Sequence, residues 1–207
     1  MQQADVEKYI RKVSPKEDAV LTAMERYARH RRFPIIGPLA GRFLRQLTLM
    51  ASARRVLELG SGFGYSAYWF ALAMGRNGRI TMIDYDRANL ERAREYFEQG
   101  NLKTGRVFIA GDALKAVATL TGPYDIIFND IDKHEYPETI NIAARLLKKG
   151  GLFVTDNVLW SGRVFDLRVR DRTTQAIRRF TAHLYADRRF FTTIIPIRDG
   201  LSVAIRQ

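Results

Sequence analysis

From Arg54 onward, short apolar runs alternate with segments of helical periodicity, and this alternation sets the fold class. The runs Arg55–Leu59, Arg79–Asp84, Arg106–Ala110, Tyr124–Asn129 and Gly151–Thr155 read as strands. Between them the apolar positions keep the helical period, with Leu90, Ala93 and Phe97 in one helix and Ile140, Ala143, Ala144 and Leu147 in another. Successive β-α units of this kind predict a mostly parallel sheet with helices packed on it. Lys148-Lys149-Gly150-Gly151 predicts a helix end, with basic residues in the last turn and glycine beyond. After a helix near Arg172–Tyr185, the runs Phe190–Ile195 and Leu201–Arg206, joined through Pro196 to Gly200, predict a closing antiparallel hairpin.

The first 53 residues lack this alternation and predict a helical cap. Ser14-Pro15-Lys16-Glu17 places Ser14 as an N-cap, Pro15 at the first helical position and Glu17 in a capping box, for a helix running to about Arg31. Leu39, Phe43, Leu47 and Met50 predict a second helix over Pro38–Met50, with the stiff segment Phe33-Pro34-Ile35-Ile36-Gly37-Pro38 between the two. The 207 residues contain no repeat, low-complexity tract or linker, which predicts one domain over 1–207.

Composition narrows the chemistry. The absence of cysteine excludes a disulfide framework, a thiol nucleophile and a cysteine zinc site. Met1 to Lys16 lacks the apolar core of a signal peptide, and no uncharged apolar run approaches the roughly 18 residues of a membrane span. A cytoplasmic protein with no membrane partner is the expectation. The net charge of +12 is unevenly spread. Residues 1–54 carry 11 basic and 5 acidic side chains, residues 160–207 carry 10 and 4, and the middle has 13 of each. The excess at both ends suits either a solvated arginine-rich surface or attraction to a polyanionic partner such as RNA.

In an open α/β sheet, ligands bind beyond the carboxyl ends of the strands, so polar residues that close apolar runs are the candidates. Val56-Leu57-Glu58-Leu59-Gly60-Ser61-Gly62-Phe63-Gly64-Tyr65-Ser66 joins a strand to a helix through three close glycines, which lets the backbone approach a nucleotide-type cofactor. Its G-x-G-x-G spacing departs from the G-x-G-x-x-G of the NAD fingerprint. Asp84 ends the second strand, where a carboxylate suits ribose hydroxyls. Asp112 and Ala113 follow the third strand and suit an adenine edge, although Asp112 equally suits a helix cap. Asp130 ends the fourth strand and Asp156-Asn157 the fifth, which brings two carboxylates and an amide oxygen to one sheet edge. Three hard oxygen donors suit Mg²⁺, with Mn²⁺ or Ca²⁺ next. Lys133, three residues past Asp130, is placed to act as a general base beside that cation. His134 reads as a loop residue, and Tyr136, Trp160 and Phe165 are candidates for an aromatic acceptor pocket.

Taken in order, Glu58-x-Gly60-x-Gly62-x-Gly64-x-Ser66, Asp84, Asp130-Ile-Asp132-Lys133, Asp156-Asn157-Val-Leu-Trp160-Ser-Gly162-Arg163-Val164 and Pro196-x-x-Asp199-Gly200-Leu201 resemble the cation-dependent O-methyltransferases of the catechol and caffeoyl-CoA type, the bacterial members especially. The resemblance covers about residues 36 to 206. It implies a Rossmann-like class I methyltransferase fold, an α/β seven-stranded mostly parallel sheet with a C-terminal antiparallel hairpin and N-terminal helices. It implies S-adenosylmethionine as cofactor, with Glu58, Gly60, Ser66, Asp84, Asp112, Ala113 and Asp130 lining its site. Asp130, Asp156 and Asn157 would be the metal ligands and Lys133 the catalytic base. Asn129 departs from the family's usual apolar residue and bears on packing more than on the ligand beside it. The implied reaction is methyl transfer to a hydroxyl of a catechol-like small molecule. A tRNA hydroxyuridine acceptor bound by the basic termini, and a catalytically silent binding protein, are the other readings. The implied assembly is a homodimer.

Overall fold

The computed structural model describes residues 3–207, so Met1 and Gln2 of the expected helical cap lie outside the described residues. Three helices, α1 (Gln3–Val13), α2 (Ala19–Arg31) and α3 (Gly37–Met50), precede the sheet. The strands are β1 (Arg55–Leu59), β2 (Arg79–Asp84), β3 (Gly105–Ala110), β4 (Tyr124–Asn129), β5 (Leu147–Thr155), β6 (Phe190–Ile195) and β7 (Leu201–Arg206). They form one sheet ordered β3-β2-β1-β4-β5-β7-β6, in which β7 runs antiparallel to both β5 and β6 and every other pairing is parallel. This is the expected seven-stranded architecture with its closing hairpin.

Alternation along each strand divides the apolar side chains between two cores. Val56, Ile80, Ile126 and Phe128 face α2, α3, α4 (Tyr65–Met74) and α5 (Arg87–Gln99), and pack with Leu21, Leu44, Trp69 and Phe97. Leu57, Ile83, Ile127 and Phe153 face the opposite layer, where α7 (Tyr136–Leu146) and α8 (Arg172–Ala186) supply Tyr136, Ile140, Ile177 and Phe180. The short α6 (Ala113–Ala116) follows β3. Burial on both faces explains why the central strands read as nearly continuous apolar runs. Among the described residues, no helix is long and apolar enough to cross a membrane.

The largest differences from the sequence reading lie at the start of α2 and between α7 and β5. Ser14 closes α1 through its backbone N–H to the Ile10 carbonyl (2.9 Å), and it caps nothing. The cap of α2 is Asp18, whose carboxylate accepts the Leu21 N–H at 2.7 Å. An ionised cap binds the helix N-terminus more strongly than a hydroxyl, and Glu17 is drawn instead to Arg42 at 2.6 Å. At the other boundary α7 ends at Leu146, and Lys148 lies in β5 rather than in a helical last turn. Its ammonium meets Asp125 at 2.7 Å, while the other Asp125 oxygen accepts the N–H groups of Arg54 and Arg55. That carboxylate ties the starts of β1 and β5 to β4, and the tie outcompetes a solvated helix end.

Candidate active site

The carboxyl ends of β1, β2, β4 and β5 converge on a cavity of about 340 Å³. Gly60 to Phe63, Asp84, Tyr85, Gly111, Ala113, Asp130 to Lys133, Asp156, Asn157 and Arg198 line it, and Phe33 to Ile36 close it from the N-terminal side. Gly60, Gly62 and Gly64 all have positive φ (79°, 50° and 83°), a conformation other residues adopt at a cost. Gly60 is constrained further, because a Cβ there would collide with the Asp130 carbonyl oxygen. The glycine loop therefore lies directly against the loop that presents Asp130.

Asp84 fixes this loop. One of its oxygens accepts the Gly62 N–H at 2.7 Å, and the other accepts from Asp86 N–H (2.9 Å) and Asn89 Nδ2 (3.0 Å). The carboxylate expected at ribose hydroxyls lines the cavity while also setting the glycine turn. Asp112 takes the capping role. It accepts the Lys115 N–H at 3.2 Å as N-cap of α6, and its neighbours Gly111 and Ala113 line the cavity in its place.

Glu58 is fully buried behind the loop. The Ser66 hydroxyl donates to Glu58 Oε1, and Glu58 Oε2 has no hydrogen-bond partner. Burial pushes this carboxyl up to about 8, against the opposing effect of the Ser66 and Ser61 hydroxyls. A raised folded-state value favours the protonated form. The resulting stability is complete below about 4.5, the ordinary value, and is lost as pH rises towards 8. Glu58→Gln, which keeps the shape and removes the charge, should flatten the fall in melting temperature between pH 5 and 8. At pH 8 it should melt roughly 5 °C above the parent protein, an effect of about 1–2 kcal/mol. Melting curves across that range test this, and a variant less stable at pH 8 would show that the fold favours the charged carboxylate.

At the β4 and β5 ends the expected cluster assembles. Lys133 Nζ lies 2.6 Å from Asp130 Oδ1. Asp156 is buried, and its Oδ1 has no hydrogen-bond partner. Burial and the neighbouring Asp130 charge push the Asp156 carboxyl up to about 7, while Arg198 and Lys133 act in the opposite direction. Asp130 is also shifted upward by burial, against Lys133 and Arg198. Asn157 adopts φ +59°, and its Nδ2 donates to Asp199 at 3.4 Å, which leaves the amide oxygen without a part in that bond.

Among the described residues no group of three His, Cys, Asp or Glu is arranged to hold a metal. The set consists instead of two carboxylates and one amide oxygen. A buried carboxylate oxygen without a partner, next to a second carboxylate that repels it, fits a hard divalent cation.

None of the three aromatic candidates lines the cavity, and the sequence reading gave no role to Arg198 or Asp199. Tyr136 is fully buried, its hydroxyl donates to the Asp156 carbonyl at 2.9 Å, and Lys133 Nζ lies 5.6 Å from its ring centre. It supports the cluster from beneath and does not line the acceptor space. Trp160 and Phe165 also lie off the cavity wall; Ser161 and Gly162 between them have left-handed backbone, and Phe165 is exposed. Phe33, Ile35, Ile36 and Tyr85 provide the apolar wall instead. Asp199 accepts from Asn157 and from the Ser161 N–H, and its place in the Pro196-to-Leu201 motif was its visible mark. Arg198, beside it, carried no mark of its own.

A model of the O-methyltransferase family matches residues 11–207. A catechol O-methyltransferase from Niastella koreensis is 33% identical over 211 residues, spanning 97% of this chain and 96% of that protein. The crystal structure of the O-methyltransferase TomG from Streptomyces achromogenes, involved in tomaymycin synthesis and bound to SAM, superposes with a TM-score of 0.90 at 29% identity, covering 100% of this chain and 99% of that one. The O-methyltransferase from Bacillus cereus in complex with SAH gives a TM-score of 0.89 at 28% identity, covering 98% and 97%.

Proposed function

The chain belongs to the O-methyltransferase family, and we propose that it is a divalent-cation-dependent enzyme that moves the methyl group of S-adenosylmethionine to a hydroxyl of a catechol-like small molecule. The observation that carries this reading is the placement of Asp130, Lys133, Asp156 and Asn157 in the same cavity as the glycine loop. The catechol O-methyltransferase relative and the SAM- and SAH-bound neighbours support the acceptor class and the cofactor.

The glycine loop, set by Asp84, and the Gly111 to Ala113 segment hold the cofactor against the β1 to β3 ends. Asp130, Asp156 and Asn157 would hold the cation, and with it the acceptor oxygens. When bound, a divalent cation would acidify the acceptor hydroxyl. Lys133 Nζ, beside Asp130, is the group placed to take the acceptor hydroxyl's proton, and the products would be the methylated acceptor and S-adenosylhomocysteine. Two binding surfaces that share the Gly60–Asp130 contact align oxygen, carbon and sulfur, and such alignment contributes several kcal/mol. Phe33 to Ile36 shield the reacting centre from water.

Transfer of labelled methyl to a catechol panel and, in parallel, to tRNA lacking the modification, each with Mg²⁺ and with EDTA, tests the reading. Catechol labelling that EDTA abolishes is the expected result. Labelling of tRNA alone would replace the acceptor class and give the basic termini a recognition role. Undiminished labelling in EDTA would overturn the cation requirement.

A further inference from the structure

Arg198 is a non-glycine residue with left-handed backbone (φ +51°) in the turn between β6 and β7. Its side chain lines the cavity and reaches the segment between α2 and α3. The aliphatic stem passes Gly37, where a Cβ would stand 3.5 Å from Arg198 Cδ, and Nη1 donates to the Ile35 carbonyl at 2.8 Å. The guanidinium is thus strapped to the segment between α2 and α3, in the wall shared with Asp130, Asp156 and Asn157. It therefore puts a fixed positive charge in the same cavity of about 340 Å³ as both carboxylates. An arginine keeps this charge under all ordinary conditions and cannot neutralise itself when a second cation arrives.

We propose that Arg198 is a built-in counter-ion of the Asp130–Asp156 pair, which stabilises the pair before a divalent cation binds and weakens the affinity for that cation. This rests on the reading of the two aspartates and Asn157 as cation ligands. The physical logic is competition between charges. Two adjacent buried carboxylates repel each other, and a fixed positive charge relieves part of that repulsion. The same charge then repels an incoming divalent ion with twice the energy it would exert on a monovalent one at equal distance. The strap to Ile35 denies Arg198 an easy retreat, since swinging away would leave that carbonyl without this donor.

The test measures cation binding directly, in the absence of cofactor and acceptor. Isothermal titration with Mn²⁺ and with Mg²⁺ should show about tenfold tighter binding to Arg198→Met than to the parent protein. Arg198→Lys should fall between the two, because a lysine amine can give up its proton as the cation arrives and a guanidinium cannot. In EDTA at pH 8, Arg198→Met should melt below the parent, and the deficit should shrink when Asp156→Asn is added. A merely structural role for Arg198 predicts the opposite sign, because a loosened site binds its cation more weakly. Equal or weaker binding by Arg198→Met, with clear binding by the parent, overturns the counter-ion role. Absence of cation binding in both proteins overturns the ligand assignment itself.

Discussion

Asp156→Asn is expected to lower cation-dependent methyl transfer by about 10³-fold or more while making the cation-free protein more stable at pH 8. The loss corresponds to roughly 4 kcal/mol of transition-state stabilisation, within what a cation acting on the acceptor oxygen supplies. The gain in stability follows from the electrostatics of the buried pair. Burial and the Asp130 charge raise the Asp156 carboxyl from 3.8 to about 7, so the contribution of this group to stability is complete below about 3.8 and is lost as pH rises through 7. Asparagine keeps the volume and removes the charge, so that loss disappears. The opposite signs separate a ligand from an ordinary structural residue, whose removal lowers stability and activity together. Steady-state rates with Mg²⁺, and melting curves in EDTA at pH 5.5 and pH 8, measure both. A variant that retains full Mg²⁺-dependent activity would remove Asp156 from the ligand set.

The central strands were legible because they are buried on both faces and therefore written as almost unbroken apolar runs. β1, β2, β4, β6 and β7 have the expected limits. Helix boundaries were less legible because neighbouring residues compete for the same role. Ser14 and Asp18 each stand at a plausible helix start, and the choice was settled by Arg42, which draws Glu17 out of the capping box from 25 residues away in the chain. The acids of the site could be found because the fold class alone says where strand ends lie, and Asp84, Asp130 and Asp156 sit at those ends. The residues that hold those acids in place follow no such rule. Tyr136 is one of many apolar-periodic positions until the fold puts its hydroxyl under the Asp156 carbonyl. Arg198 meets a carbonyl 163 residues earlier, and no local pattern encodes that pairing. Asn129 has a partial account. Its Nδ2 reaches the Thr139 hydroxyl at 3.3 Å within the core, and its Oδ1 has no hydrogen-bond partner.

Replacing Lys133 in two ways separates its proton-accepting role from its pairing role. Lys133→Met should lower kcat by about 10²- to 10⁴-fold, the range typical of a lost general base, with a much smaller change in KM. It also removes the cation 2.6 Å from Asp130, which leaves two carboxylates with less compensation. The cation-free variant should therefore melt below the parent at pH 8. Lys133→Arg restores a positive charge beside Asp130 and should recover most of that stability. It should not recover the rate, because a guanidinium does not give up its proton in a protein and so cannot accept one from the acceptor hydroxyl. Stability and rate thus part company in the arginine variant, an outcome that a purely structural lysine does not produce. Measurements of kcat and KM with Mg²⁺, beside melting curves in EDTA, read both quantities on the same three proteins. Recovery of the rate by Lys133→Arg would mean that the acceptor proton leaves by another route, and Lys133 would then be a positioning residue for Asp130.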